Sequence, residues 1–511
     1  MEGRGRSSAG ALLERPVRVL WRHGGGAMSA ERRPPFGDAA GVMTASAVPS
    51  LWQRWDGAEA GALTRFAFTI VLGQLSQVGM AVLSTVMMAE LGGTALAAGG
   101  LIGSVLLFLN LSHFGVLQGM MPMFSSAVSA QQHGLASSVL RAMFAITVLL
   151  GVPMTLLLLA LPWLLQLVPL APGVAAAAEP YTLSLLVGLL PGLLLTVARS
   201  TVYAVQRTAS AVWIGLLGLL VNLLGNLVLI NGWWGMPKLG LAGIGWSMSL
   251  SNIVMLVAQL AVLRMGSLTS TYFRAGGAGR WFDRALWRQL LGTGLPNGAV
   301  LFIETLLLSS SYWLMGWVSV TALAAHTVVM QWLQVLLILP LGLSQAAMVR
   351  LAVTIGKGDR DAALSVCNTS RQLTLVVALV SGAALLVWPQ PAVELMLDAK
   401  ALPIVEAAVG FVLLCALTQG LRAWVVVLAA MLRACREVSV LSAVAFGYWG
   451  VGFGCCWGLA IGLGWGGKGI WVGLAAGFAV AAVALHRRMQ LTQEFIDEVI
   501  HKVLQDHAKH H

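Results

Sequence analysis

Apolar residues in this chain run in long blocks, with neither the two-residue alternation of a half-buried strand nor the single stripe of a surface helix. A helix needs about 20 apolar residues to cross the roughly 30 Å hydrocarbon core of a bilayer. Twelve segments meet that length: 64–88, 95–126, 139–168, 181–204, 211–230, 241–264, 290–315, 322–347, 371–389, 405–431, 438–462 and 469–487. The pattern predicts an all-α polytopic membrane protein with twelve transmembrane helices. After them, Leu491, Phe495, Ile496, Val499, Ile500, Val503 and Leu504 recur at helical spacing and predict a short amphipathic helix on the membrane surface.

Composition agrees. Residues are 58% hydrophobic and 10% charged, where soluble domains carry about 25% charge and disordered chains are poor in apolar residues. A net charge of +11 suggests a nucleic-acid partner at first sight. The placement of the charges removes that reading. Of 31 Lys and Arg, 27 fall before span 1, at its start, in alternate loops and in the C-terminal tail, all on one side of the twelve spans. Lys238, Lys400 and Lys468 fall on the other side, and Arg422 lies inside a span. The positive-inside rule puts both termini in the cytoplasm. The five cysteines show no metal or disulfide spacing and read as free thiols. No secretory signal is evident in 1–62, an Arg-, Gly- and Ala-rich stretch that reads as a disordered cytoplasmic tail, with Met28 or Met43 as an alternative start.

The two halves repeat. Thr94-Ala95-Leu96-Ala97-Ala98 returns 227 residues later as Thr321-Ala322-Leu323-Ala324-Ala325. Six spans per half make the repeat parallel, with its axis along the membrane normal, an arrangement of transporters that bind substrate between halves and alternate access by rocking. The expected organisation is an N-lobe over 63–264, a cytoplasmic inter-lobe loop over 265–289, a C-lobe over 290–488 and an amphipathic tail over 489–511. Under the same offset Gln77 on span 1 falls opposite Glu304 on span 7, so both are candidates to face a central cavity.

Among 20 acids only Glu304 is deep in a span, about 16 Å from its outer end. An intramembrane carboxylate reads first as a proton or ion site, with a structural hydrogen-bonding role as the alternative. Arg422 on span 10 is the one deep base, at similar depth. It is expected either to pair with Glu304 or to snorkel toward the cytoplasm. Asn222 and Asn226 share one helix face and either line a polar pocket or lock neighbouring helices. His113, Gln118 and Gln331 read as helix-packing residues. No P-loop, metal motif or nucleophile–base constellation occurs, so no enzyme or bound cofactor is expected, and either energy comes from an ion gradient or the protein is a passive facilitator or a partner subunit.

At these residues the chain resembles the multidrug and toxic compound extrusion (MATE) family, and within it the bacterial NorM-like branch. Span 1 has Ser76-Gln77-Val78-Gly79-Met80 and Leu83-Ser84-Thr85-Val86-Met87. Spans 4 and 5 have Arg199-Ser200, Asn222, Asn226 and Gly232. Span 7 has Gly294-Leu295-Pro296 and Phe302-Ile303-Glu304, and span 8 has Ala324-Ala325-His326, Pro340, Arg350 and Gly356. The resemblance implies two six-helix lobes around a V-shaped cavity in a bacterial inner membrane, and export of organic compounds in exchange for Na⁺ or H⁺. Glu304 matches the family's span-7 coupling Glu. The span-1 Asp of the family is Ser84 here, and its span-10 Asp is Arg422. Those replacements favour H⁺ over Na⁺ and a substrate that is neutral, zwitterionic or anionic. A monomer is expected, with a small organic substrate and the lipid bilayer as partners and no nucleic acid. Two alternatives stand beside this: a lipid-linked or polysaccharide flippase of the same superfamily, and an uncoupled family member.

Overall fold

Twelve helices of the computed structural model are long and apolar enough to cross a membrane. They are α1 (Gly57–Glu90), α2 (Gly93–Ser129), α3 (His133–Gln166), α4 (Val174–Ala204), α5 (Ala209–Asn231), α6 (Leu241–Met265), α7 (Arg284–Val318), α8 (Val320–Lys357), α9 (Arg360–Val387), α10 (Leu402–Ala434), α11 (Val440–Gly462) and α12 (Gly466–Glu494). A thirteenth, α13 (Ile496–Ala508), follows α12 directly. The structure describes residues 56–166, 173–206, 208–265, 283–394, 402–437, 440–494 and 496–508, and among them there is no strand. The expectations for residues 1–55 and 266–282 lie outside the described residues.

Each helix appears where the apolar run predicts one, but several continue past it. The reason is capping. Asp56 accepts hydrogen bonds from the backbone N–H of Ala58 and Glu59, Asp283 from Ala285 and Leu286, Ser319 from Ala322, and Asp359 from Ala362. These side chains satisfy N–H groups that the first helical turn leaves unpaired, so helix continues into water. The reading of 1–62 as tail is corrected accordingly: residues 57–62 are the first turns of α1. In α8, Gly358 closes the helix in the left-handed conformation (φ 74°). In α11, the glycine-rich sequence Phe446–Phe453 winds as π-helix, a local widening that is frequent at functional sites.

The repeat is visible in the packing. In the first half α4 packs on α2, α3 and α6, and α5 packs on α1 and α6. Adding six to each label gives the second half: α10 packs on α8, α9 and α12, and α11 packs on α7 and α12. The halves meet through α1, α2, α7 and α8, with α2 against α7 and α1 against α8.

Those meetings gather toward the end that carries the basic loops, called here the basic end. The α2–α7 seam is close: a Cβ on Gly115 would lie 2.8 Å from the Gly298 Cα, and one on Gly119 would lie 2.7 Å from the Gly294 Cα. At the α1–α8 seam Gly342 lies against Val71 and Ala67. Beyond it, Glu59 of α1 accepts two hydrogen bonds from Arg350 of α8, from Nε at 2.6 Å and Nη2 at 2.5 Å. Asp56 also accepts from the Ser365 hydroxyl of α9 at 3.1 Å. Away from the basic end, the same faces become exposed. On α1 these are Leu75, Val78 and Val82, and on α8 Leu339, Val335, Gln334 and Gln331. The seam therefore parts into a cleft toward the opposite end.

Candidate functional site: an ion pair inside the second half

Helix α7 presents Glu304 to α10 near the middle of the span. Leu307, Leu308 and Ser311, within two turns of it, are buried too, so Glu304 lies on the inward stripe of α7 and not on its lipid face. Arg422 of α10 meets it. Its Nε donates to Glu304 Oε1 at 2.8 Å, and its Nη1 donates to Gln334 Oε1 of α8 at 2.9 Å. Only 8% of Glu304 and 5% of Arg422 is exposed, so two opposite charges sit nearly out of solvent. Arg422 therefore does not snorkel. Gln334, in contrast, is exposed on the cleft face of α8, so the guanidinium is one amide group away from open space.

Sequence reasoning missed two members of this site. Gln334 lies three residues after Gln331, on the same α8 face; that spacing was a signal it belongs to a polar stripe. Tyr448 of α11 is fully buried, its hydroxyl has no hydrogen-bond partner, and it lies close enough to feel the charges of both Glu304 and Arg422. The π-helical turn that carries it is not visible in apolar periodicity.

The remaining candidates lie in the first half. Gln77 is half-buried, with Nε2 3.8 Å from Met255 Sδ on α6, and is not brought to Glu304. Asn222 and Asn226 are fully buried and bond each other, Asn226 Nδ2 donating to Asn222 Oδ1 at 3.3 Å. Asn222 Nδ2, Asn226 Oδ1 and the buried Ser84 Oγ have no partner. Ser76 abuts Gly215 and Gly79 abuts Leu219. The same register carries Ser84 of α1 to the level of Asn222 on α5. These buried polar groups are uncharged, where Glu304–Arg422 carries both signs. His113 packs by a 3.0 Å hydrogen bond with Thr147.

A buried pair of this kind can do one chemical thing well. Its charges neutralise each other, and anything that binds one partner leaves the other unpaired in a low-dielectric interior. No group of three or more His, Cys, Asp or Glu able to hold a metal occurs among the described residues.

Comparison with known proteins identifies the fold and the family. The MatE family model matches residues 69–228 and again 296–457. The two matches start 227 residues apart (296 less 69), the same offset that relates the halves. A probable multidrug resistance protein NorM from Mesorhizobium japonicum is 30% identical over 455 residues, covering 87% of this chain and 95% of that protein. The multidrug resistance protein NorM of Burkholderia vietnamiensis is 30% identical over 462 residues, covering 88% and 96%. Among solved structures, a eukaryotic MATE transporter superposes with a TM-score of 0.77 at 18% identity, covering 88% of this chain and 99% of that one. The outward-facing conformation of a multidrug resistance MATE family transporter gives 0.75 at 18%, covering 85% and 96%. With the family model matched in both halves and relatives aligned almost end to end, the chain is a transporter, not an enzyme, and belongs to the MATE family.

Proposed function

We propose that the protein is a secondary antiporter that exports small organic compounds in exchange for protons, by alternating access between its two halves. The observation that carries this is the buried Glu304–Arg422–Gln334 cluster. It holds a single carboxylate, ties α7 to α10, and touches the cleft through Gln334. A proton arriving from the cleft neutralises Glu304 and releases Arg422 from it, so protonation changes how α7 and α10 are held together. Coupling needs such a differential: a ligand shifts a conformational equilibrium only by as much as it prefers one state. Sodium fits less well, because the guanidinium occupies the side of Glu304 where a cation would sit.

The basic end is taken as cytoplasmic under the positive-inside rule, in a bacterial inner membrane, with the segment before α1 and the C-terminal tail on that side. On this orientation the seams close the cytoplasmic side and the cleft faces out.

The test is transport of fluorescent amphiphiles in proteoliposomes. An imposed pH gradient is compared with an imposed Na⁺ gradient, for the wild type and Glu304→Gln. Proton-driven flux that disappears in Glu304→Gln supports the proposal. Sodium-driven flux overturns the choice of ion. Flux that follows neither gradient moves the protein to the uncoupled or lipid-handling alternatives.

A further inference from the structure

From the same ion pair we infer the charge class of the substrate: a compact zwitterionic amphiphile, whose cationic group pairs with Glu304 while its carboxylate pairs with Arg422. This rests on the antiport reading of the site. A purely cationic compound that takes Glu304 strands Arg422, with only the Gln334 carbonyl left to it. A purely anionic compound that takes Arg422 strands Glu304. Each outcome leaves an uncompensated charge where about one-twentieth of the residue is exposed for Arg422 and about one-twelfth for Glu304. A zwitterion inserted between the two replaces both partners at once and leaves neither charge unpaired.

The surroundings agree. Gln334 is exposed and accepts a hydrogen bond from the guanidinium, so it links Arg422 to the cleft. The unpartnered Tyr448 hydroxyl is a further hydrogen-bonding group for the inserted head. The cleft faces beyond it carry Leu339 and Val335 on α8 and Leu75 and Val78 on α1, which suit an apolar tail.

Proton exchange follows from the geometry. A proton on Glu304 Oε removes the charge that would hold the cationic head and leaves Arg422 with Gln334 alone, so the protonated site no longer offers both charges to the zwitterion. The other ionisable groups near it are Arg433 on α10, Tyr448 on α11 and His326 on α8, which bonds Ser311 two turns beyond Glu304 on α7.

The experiment measures binding by equilibrium dialysis to the purified full chain in lipid nanodiscs. It uses 2-naphthylalanine (zwitterion), its amide (cation) and its N-acetyl derivative (anion). In the wild type the zwitterion is expected to bind at least tenfold more tightly than either derivative. Arg422→Gln should bring the zwitterion down to the amide, and Glu304→Gln should bring it down to the N-acetyl compound. The double variant Glu304→Gln/Arg422→Gln carries neither charge of the pair, so it guards against misfolding of the single variants, and should bind all three within twofold. Wild-type preference for the amide or the N-acetyl compound, or no discrimination beyond twofold, overturns the inference. Proton-driven flux of other amphiphiles together with no zwitterion preference sinks this inference alone. A zwitterion preference without proton-driven flux sinks the antiport reading instead.

Discussion

Glu59 and Arg350 form the tightest charged contact between the halves, and neutralising it should loosen the basic end by a calculable amount. The perturbation is Glu59→Gln, which keeps the side-chain shape and removes the charge. The pair is bidentate, and the two side chains are only 14% and 23% exposed. An exposed pair contributes roughly 0.2–1 kcal/mol, while hydrogen bonds to charged groups contribute about 1.5–3 kcal/mol. Partial burial and the paired geometry place this contact between the two, at about 1–3 kcal/mol. If the contact exists only while the basic end is closed, its loss shifts the closed–open equilibrium by about 5–150-fold. The assay is maleimide labelling of Ser129→Cys, a half-buried position whose hydroxyl region abuts Gly356 across the seam. The background carries Cys455→Ser, since the other four native cysteines are buried. Labelling through the open state rises in proportion to its population, so the rate should climb by at least fivefold in Glu59→Gln. The charge-swapped pair Glu59→Arg/Arg350→Glu should bring it back. A rate within twofold of the parent, or a swap that labels as fast as the single variant, would refute the latch.

Four further outcomes follow from particular contacts. Arg422→Met should cost about 3–5 kcal/mol of stability by stranding Glu304, whereas Glu304→Met/Arg422→Met should be close to neutral; thermal unfolding of the purified protein separates the two. At the α2–α7 seam, Gly119→Val drives side-chain atoms into the Thr293 carbonyl and Gly294. It should cost about 1–3 kcal/mol or hold the basic end open, raising the same Ser129→Cys labelling rate. Ser84→Asp places a carboxylate at a buried position whose hydroxyl has no partner; its melting temperature should fall, and restoration by an added monovalent cation would show that a carboxylate there can hold a cation. Asp56 is held below the ordinary carboxyl range by the backbone N–H of Glu59, then by the Ser365 hydroxyl and the Ala58 N–H. A lowered value means that its contribution is complete above the ordinary pKa near 3.8 and fades as pH falls through the folded value. Hydrogen exchange at the first turn of α1 should therefore quicken only below about pH 4, and Asp56→Ala should remove that pH dependence.

What the amino-acid order determined by itself was everything that depends on local hydrophobicity and on counting. Twelve apolar runs become helices α1–α12 because unpaired backbone polar groups are intolerable in hydrocarbon. The 227-residue repeat reappears as identical packing of α4 with α2, α3 and α6, and of α10 with α8, α9 and α12. A lone deep Glu and a lone deep Arg at similar depth were conspicuous for the same reason, since each is costly unless partnered. Tertiary structure decided the rest, because helix rotation and register are set by packing and not by apolar length. It turned Gln77 toward Met255 of its own half, closed Asn222 and Asn226 on each other, and brought Gln334 to Arg422 from a third helix. Polar helical turns outside the apolar runs carried no hydropathy signal. The contact of Glu59 with Arg350, 291 residues away in sequence, could therefore emerge only from the fold, where the caps extend both helices far enough to meet.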